Sequence, residues 1–380
     1  MSQTVKRPPF ECVALTLQGG GALGAYQGGV YQGLAEAGLH PDWVAGISIG
    51  AINAAIIAGN ERAKRVEKLR EFWESITATT PWNPLNLLAP AAMAGDAGRH
   101  FFNQLSAAEV LTTGVQGFFA PRLPPPQFAP EGSAGATSYY DTQPLVATLE
   151  RFVEFDRINN GSTRLSAGSV NVRTGNFVYF DTTERKIGPE HILASAALPP
   201  GFPAIEIEGE HYWDGGLLSN TPLQWVLQYG PRRDTLAFQV DLWNARGRFP
   251  RTIMEVATRQ KEILYSSRTR ENVRSFVQNQ QLRHAFAKLL ETLPAKVRHA
   301  AAAGPLREFS DHKVYSIVHL IYRTKHYEGE SKDYEFSQLS MRDHWQAGYN
   351  DVIRTLRHPE TLARPKNADG VTTHDFLDTD

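Results

Sequence analysis

The sequence predicts an α/β protein, because two units of strand, glycine-rich turn and helix follow one another near its start. The apolar run 13–17 leads into the turn 19–24 (GGGALG) and a helical pattern over 22–37. The run 43–47 leads into the turn 46–50 (GISIG), and small apolar residues continue it as a second helix. Strands that alternate with helices are typical of the α/β class.

The two turns predict chemistry as well as fold. Glycines let the backbone bend sharply as it leaves a strand. Ser48 stands at the tip of the second turn, where a serine is lifted off the sheet with a helix N-terminus behind it. The first turn leaves backbone N–H groups uncovered at another helix N-terminus, which favours negative charge. A nucleophile beside an anion-binding loop is what acyl transfer requires, so we expect an acyl-transfer site here.

The composition is that of an ordinary globular protein, with 42% hydrophobic and 21% charged residues in a chain of 380. The net charge of -1 gives no case for nucleic acid as a partner. The single cysteine, Cys12, cannot form an intrachain disulfide and is expected to be a buried packing residue. Neither a secretion signal nor an apolar stretch of about 18 to 20 residues occurs. We therefore expect a soluble, cytoplasmic protein, with any membrane contact peripheral.

An amphipathic helix and a proline-rich insertion come next in the chain. Residues 61–77 place their apolar side chains on one helical face. Residues 78–140 hold eight prolines among aromatic residues, alanines and glycines. Such an irregular, aromatic-rich insertion favours a lid or binding loop, with a loosely packed surface excursion as the alternative.

Alternation of apolar and polar residues returns after residue 164. Residues 165–172 and 177–180 flank a threonine–glycine turn and predict a hairpin. A short helix is expected over 190–198, where a run of prolines stops it. Two short strands are expected within 205–214, and a longer one over 235–241.

The last third of the chain is predicted to be mostly helical and basic. Residues 251–304 carry ten lysines and arginines against four acidic residues. A solvated helix surface explains such an excess, and docking to an anionic lipid surface is the alternative. A strand is predicted over 314–322, and a helix over 340–356 with Ser340 and Asp343 as its capping box.

Other classes of glycine motif fit less well. The first turn matches the dinucleotide fingerprint, but the second strand should then end in an acidic residue, whereas Asp42 stands at its start. No Gly-Lys-Ser/Thr follows, as a P-loop requires. An α/β-hydrolase would place several strands before Ser48 and a histidine in a turn that presents it. His191 and His211 are instead expected to be structural or exposed.

Three motifs in this order resemble the signatures of the patatin-like phospholipases. They are the turns 19–24 and 46–50 and the later Asp214-Gly215-Gly216. Three further segments support the resemblance, namely 171–175 (NVRTG), 194–199 (ASAALP) and 220–222 (NTP). The resemblance covers about residues 13–240. The stretch after 250 resembles a C-terminal region that accompanies patatin domains in some bacterial proteins.

The resemblance implies a three-layer α/β/α patatin-like fold, to which the composition after residue 250 adds a mostly helical C-terminal extension. The catalytic domain would span 11–242, with 78–140 as its lid or insertion. A C-terminal helical region would follow over 243–365, and a disordered tail over 366–380.

The resemblance also implies a role for each motif residue. Ser48 would be the nucleophile and Asp214 the general base of a dyad without a catalytic histidine or a metal or other cofactor. The oxyanion hole would consist of the N–H groups of Gly19, Gly20 and Gly21, and the motifs would be supported by Gly24, Gly46, Gly50, Gly215 and Gly216. Many family members have Arg or Lys where this chain has Leu23, so no headgroup preference is implied.

The expected function is that of a serine lipid acyl hydrolase of the phospholipase A or esterase type, acting through an acyl-enzyme on a lipid or acyl-ester substrate. Two alternatives stay open. One is a lipid-binding or scaffolding protein that keeps the fold without catalysis. The other is an esterase that acts on a non-phospholipid substrate, such as a polyester or a small soluble ester.

Overall fold

The strand-forming runs assemble into one mixed sheet. In the computed structural model, which describes residues 7–77, 95–266, 269–367 and 369–376, nine strands form this sheet and two short ones pair separately. In chain order the strands are β1 (Cys12–Leu17), β2 (Trp43–Ile47), β3 (Ala120–Pro121), β4 (Tyr140–Asp141), β5 (Arg164–Asn171), β6 (Phe177–Asp181), β7 (Ile205–Ile207), β8 (Glu210–Asp214), β9 (Thr235–Asp241), β10 (Tyr315–Ile321) and β11 (Val371–His374). The sheet order is β11-β10-β9-β1-β2-β5-β8-β7, with β6 also paired to β5.

The centre of the sheet is parallel, and this explains its sequence. Strands β11, β10, β9, β1, β2 and β5 all run in one direction, whereas β6, β7 and β8 are antiparallel to their neighbours. A strand covered on both faces is apolar along its whole length, and every residue of β1, β2 and β9 is buried. Leu17 pairs with Gly46, so the two glycine turns leave the same edge of the sheet side by side.

Helices cover both faces of the sheet, which confirms the three-layer prediction. The helices are α1 (Ala25–Glu36), α2 (Ile49–Ala58), α3 (Arg65–Ile76), α4 (Asp96–Thr113), α5 (Gln143–Phe152), α6 (Phe155–Asn160), α7 (Pro189–Ala196), α8 (Leu223–Gln228), α9 (Ile253–Ser266), α10 (Thr269–Thr292), α11 (Ala295–Arg298), α12 (Gly304–Phe309) and α13 (Gln338–Thr355). The larger core packs α1, α2 and α3 on one face, and the smaller core packs α8 and α10 on the other. Cys12 is buried in the smaller core, and burial raises the pKa of its thiol to about 11, as expected of a packing residue.

The C-terminal region is largely helical, as predicted, but it also extends the sheet. Its strand β10 pairs with β9, and β11 pairs with β10 inside the segment predicted to be a disordered tail. This part of the tail is ordered because the segment Val371–His374 is rich in β-branched residues, which favour a strand, and it pairs with the free edge of β10. Since β10 and β11 continue the sheet of the first 242 residues, the boundary at 242/243 stays a prediction.

Helix α13 begins at Gln338, two residues before the predicted start. Its N-cap is Ser337, whose hydroxyl accepts the backbone N–H of Ser340 at 3.2 Å, so Ser340 is the third residue of the helix and not its cap. The helix then crosses α1 at close range. A Cβ on Gly348 would overlap the carbonyl oxygen of Tyr26, so only glycine allows this approach.

Part of the predicted insertion is regular. Residues 78–94 lie outside the described residues, whereas 95–113 lead into and form the long helix α4, which the irregular composition did not indicate. Among the described residues, no helix is both long enough and apolar enough to cross a bilayer.

Candidate active site

Ser48 stands on a strained turn between β2 and α2. Its φ of 56° lies in the left-handed region, which a residue with a Cβ seldom adopts. A Cβ on Gly46 would overlap the carbonyl of Gly50, and one on Gly50 would overlap the carbonyl of Leu17. The two glycines therefore permit the turn that lifts Ser48 off the sheet edge.

The turn is fixed from below by Ser195 in α7. The N–H of Ser48 donates to the carbonyl of Ser195 at 3.1 Å and to its hydroxyl at 3.2 Å. The hydroxyl of Ser195 donates in turn to the carbonyl of Gly168 in β5 at 2.7 Å. Ser195 lies in the segment 194–199 that supported the family resemblance, but no role had been predicted for it. It connects the Ser48 turn to the sheet.

Asp214 ends β8 and is buried, with 1% of its surface exposed. Its Oδ1 accepts the N–H of Gly216 at 2.7 Å, which holds the carboxyl group in place. Its Oδ2 has no hydrogen-bond partner among the residues that the structure describes. An unpartnered buried carboxylate oxygen is costly, and such groups are concentrated at functional sites.

The electrostatics of Asp214 suit a proton acceptor near neutral pH. Burial raises the pKa of its carboxyl to about 7, and the Ser48 hydroxyl and the Gly216 N–H oppose that rise. Ser48 is thus close enough to act on the charge of Asp214, although Oδ2 does not yet engage it in a hydrogen bond of ordinary geometry. Hydrogen bonds between catalytic groups are often long before substrate binds.

The glycine turn after β1 offers two uncommitted backbone donors. Within the described part of the chain, the N–H groups of Gly20 and Gly21 have no hydrogen-bond acceptor. Gly21 has a φ of 54°, and a Cβ there would overlap the carbonyl oxygen of Asp333. The third predicted donor differs, because the N–H of Gly19 donates to the carbonyl of Asn220 at 3.3 Å.

Two buried amide side chains, which sequence analysis assigned no role, position this turn. Asn220 donates from Nδ2 to the carbonyl of Gly19 at 2.9 Å. Gln18 accepts the N–H groups of Leu242 and Trp243 at 2.6 and 3.0 Å, and thereby ties the start of the turn to the end of β9. The only local signal for Gln18 is a polar residue at the end of an apolar strand.

The remaining motif glycines lie at the same junction. Gly24 packs against Ile49, the residue after Ser48, and Gly215 packs against the carbonyl of Gly168. Gly216 supplies the N–H that Asp214 accepts. The structure thus brings the three sequence motifs together at one edge of the sheet.

Ser48, Asp214 and the glycine turn open into one cavity of about 300 Å³. Its wall away from these groups is aromatic, with Phe119 as the central ring. The ring centroid of Phe119 lies 5.0 to 6.4 Å from those of Phe118, Tyr140, Phe202 and Phe336. Phe118, Phe119 and Tyr140 belong to the predicted insertion, so its described part lines the cavity. Such a wall suits an apolar chain.

The described lining of the cavity contains no lysine, arginine or histidine. Leu23, which occupies the position of the family's basic residue, is fully buried in the core. His191 is buried and accepts the N–H of Gly188 at 3.0 Å, while His211 is exposed. Neither lines the cavity, which agrees with their predicted structural or exposed roles.

Two family models match the chain. The model for patatin-like phospholipase matches residues 15–227, and one described as patatin phospholipase matches residues 263–368. The chain has no significant match among curated proteins.

Solved structures with some similarity include two bacterial proteins. VipD from Legionella pneumophila matches at 15% identity and a TM-score of 0.39, over 99% of this chain and 76% of that one. Full-length ExoU, solved with SpcU from the type III secretion system of Pseudomonas aeruginosa, matches at 16% identity and a TM-score of 0.26, over 80% of this chain and 61% of that one. At these low scores neither adds to what the family models show.

Proposed function

The chain belongs to the patatin-like phospholipase family, and from this premise we propose that it hydrolyses lipid acyl esters with Ser48 as nucleophile and Asp214 as general base. One observation carries the proposal. A buried carboxylate with an unpartnered oxygen shares a cavity with a serine on a strained turn. A purely lipid-binding protein would need neither the strain nor the buried charge.

Acylation follows from the positions of these groups. The ionised Asp214 accepts the proton of the Ser48 hydroxyl as Oγ bonds to the ester carbonyl carbon. The carbonyl oxygen becomes an oxyanion, which the N–H groups of Gly20 and Gly21 stabilise. The C–O bond to the alcohol then breaks, and Asp214 returns the proton to the leaving oxygen. Ser48 is left as an acyl ester.

Deacylation uses the same groups in the same order. Asp214 accepts a proton from water as the water oxygen bonds to the acyl carbon. The oxyanion again faces the two glycine N–H groups. Collapse releases the fatty acid, and the proton passes from Asp214 to Ser48 Oγ. Every proton and electron pair in this cycle is handled by residues of this chain and water.

The cavity supports an apolar acyl chain as the part of the substrate that is recognised. Each methylene group removed from water contributes about 0.8 kcal/mol to binding. The aromatic wall therefore favours esters with long acyl chains over esters with short ones. Because no cation occurs in the described lining, we propose that binding relies on the acyl chain and not on an anionic headgroup. Cytoplasmic location stays a prediction.

A long-chain fluorophosphonate tests the proposal directly. We expect one adduct on Ser48 by intact mass and peptide mapping, none in Ser48→Ala, and slower labelling in Asp214→Asn. A fully reactive Asp214→Asn would remove Asp214 from the mechanism. A folded protein that forms no adduct, with or without anionic vesicles, would refute the hydrolase proposal in favour of a binding protein.

A further inference from the structure

Helix α9 has the reverse of the usual arrangement for a surface helix. The residues that it buries, Glu262 and Ser266, are both polar. Its large apolar side chains are exposed instead, with Ile253 at 79% and Ile263 at 52% of their surface. A helix bordered only by water turns its apolar face to the core. This reversal indicates that something other than water covers the outer face of α9.

The polar inner face is held by ion pairs, which fix how the helix is rotated. Lys332 is almost fully buried, and its Nζ lies 2.7 Å from Glu262 Oε1. Thr324 donates to the same oxygen at 2.9 Å. One residue earlier on the helix, Lys261 lies 2.7 Å from Asp333 Oδ1. Removing one partner of such a buried pair is costly, so α9 does not roll its apolar face inward.

The outer face is continuous along the helix. Ile253, Val256, Gln260 and Ile263 follow one another at spacings of three and four, which places them on one side. A shallow groove on this side is lined by Pro250, Val256, Arg259, Gln260, Ile263 and Leu264. Phe249, just before the helix, is 90% exposed. From Ile253 to Ile263 the face is about 15 Å long.

The same helix borders the candidate active-site cavity. Tyr265 lines the cavity, and its carbonyl accepts the Gln18 side chain at 3.1 Å. Gly216 also lines the cavity, and Leu217, which follows it in the chain, is exposed. A partner on the outer face of α9 would therefore be separated from the cavity by no more than the width of this helix, about 10 Å.

The charge around this face is positive. Residues 244–266 carry five arginines and lysines and two glutamates. Of these, Arg259, Lys261 and Glu262 belong to ion pairs of the inner network, and Glu255 accepts the backbone N–H of Arg251 at 2.6 Å. The side chains of Arg248 and Arg251 are exposed beside Phe249 and Ile253. Apolar residues edged by arginines are typical of segments that lie in an anionic membrane surface.

We propose that the outer face of α9, together with Phe249, Arg248 and Arg251, docks the protein on an anionic lipid bilayer. The choice of a bilayer as partner rests on the proposed hydrolase function, because the same helix lines the proposed acyl-chain cavity through Tyr265. The apolar side chains enter the boundary between headgroups and acyl chains, and the arginines contact lipid phosphates. Docking brings the cavity close to the lipid that the site would use.

Co-sedimentation of the full-length protein with vesicles tests this surface. Ser48→Ala is the parent, so that no lipid is consumed, and the vesicles contain phosphatidylcholine and phosphatidylglycerol. In this parent we expect Ile253→Ser with Ile263→Ser to weaken binding about tenfold or more. The matched control is Leu282→Ser with Leu289→Ser, two leucines of α10 that are 51% and 50% exposed. The control pair should bind like the parent.

The arginines give a second arm with a different lipid dependence. Arg248→Gln and Arg251→Gln should each weaken binding to the phosphatidylglycerol vesicles roughly fivefold, and should change little on phosphatidylcholine alone. A parent that does not bind the anionic vesicles, or an isoleucine variant that binds as the parent does, would overturn the proposal. So would a parent dimer that the isoleucine variant loses, since the face would then belong to a second copy.

Fluorophosphonate labelling of unsubstituted protein keeps the two proposals apart. Labelling of Ser48 without vesicle binding would overturn the docking surface alone. Vesicle binding that depends on Ile253 and Ile263, without labelling, would support the docking surface and count against the hydrolase.

Discussion

Asn220 and Gly19 exchange two hydrogen bonds across the candidate active site. The N–H of Gly19 donates to the carbonyl of Asn220 at 3.3 Å, and Nδ2 of Asn220 donates to the carbonyl of Gly19 at 2.9 Å. Gly19 precedes the two glycines with uncommitted N–H groups, and Asn220 follows the Asp214 loop. The pair therefore sets the distance between the proposed oxyanion hole and the proposed base.

Asn220→Ala should lower kcat more than it raises KM. It removes the Nδ2 bond to Gly19, whose carbonyl keeps the Trp243 indole donor at 2.9 Å. The glycine donors then lose alignment with an oxyanion that exists only in the transition state, and we expect kcat to fall about ten- to a hundredfold. Steady-state kinetics on a soluble ester measures kcat and KM separately. Gln224→Ala, an exposed amide nearby on α8, should behave like the parent protein. If Asn220→Ala folds and keeps the kcat of the parent protein, Asn220 does not position the glycine turn.

Asp214→Asn should abolish turnover while changing how stability depends on pH. Burial raises the folded pKa of Asp214 from 3.8 to about 7, so the folded protein holds a proton that the unfolded chain releases. This group's contribution to stability is complete below pH about 4 and is lost as the pH rises to about 7. Urea unfolding of the asparagine variant should show a smaller fall in the free energy of unfolding over that range.

Asp241→Asn is the matched control for this measurement. Burial also raises the pKa of Asp241 to about 7, but Asp241 does not line the cavity. In Asp241→Asn the free energy of unfolding should depend on pH less than in the parent, by about as much as in Asp214→Asn. Fluorophosphonate should still label Ser48 in this variant. If Asp214→Asn unfolds with the parental pH dependence, Asp214 does not titrate as the geometry indicates.

The motifs could be predicted from sequence because local geometry dictates them. Gly46 and Gly50 are needed where a Cβ would meet backbone within the turn or on the adjacent strand β1, and such requirements leave a short pattern. No role could be predicted for Gln18 and Asn220, because their hydrogen-bond partners lie far away along the chain. Gln18 bonds residues more than 200 positions away, and no local spacing records that.

In the C-terminal region, too, the sequence predicts individual strands and helices but not how they pack against the rest of the protein. Strand β10 was predicted from its apolar run, but only the sheet shows that it extends β9. The orientation of α9 could not be predicted from the sequence either. Its pattern contains an apolar and a polar face, and the buried Lys332, 70 positions beyond Glu262, decides which one turns inward.

The proposed base predicts the pH dependence of catalysis. Asp214 must be ionised to accept the Ser48 proton, so kcat/KM on a soluble ester should rise with pH and level off above about 7. The measurement is a profile from about pH 5 to about pH 9, with stability checked at each pH. A profile that is already level at pH 5, as an ordinary carboxyl group with a pKa near 4 would give, would mean that Asp214 is not desolvated in the working enzyme.

The aromatic wall predicts a dependence on acyl-chain length. With 4-nitrophenyl esters of increasing length, kcat/KM should rise about fourfold per methylene group until the cavity is filled. Phe119→Leu enlarges the cavity at the centre of the aromatic cluster, so the plateau should move to longer chains. Phe101→Leu, an exposed phenylalanine of α4 outside the lining, is the matched control and should keep the parental plateau. If the Phe119 and Phe101 variants share one chain-length profile, the acyl chain lies elsewhere.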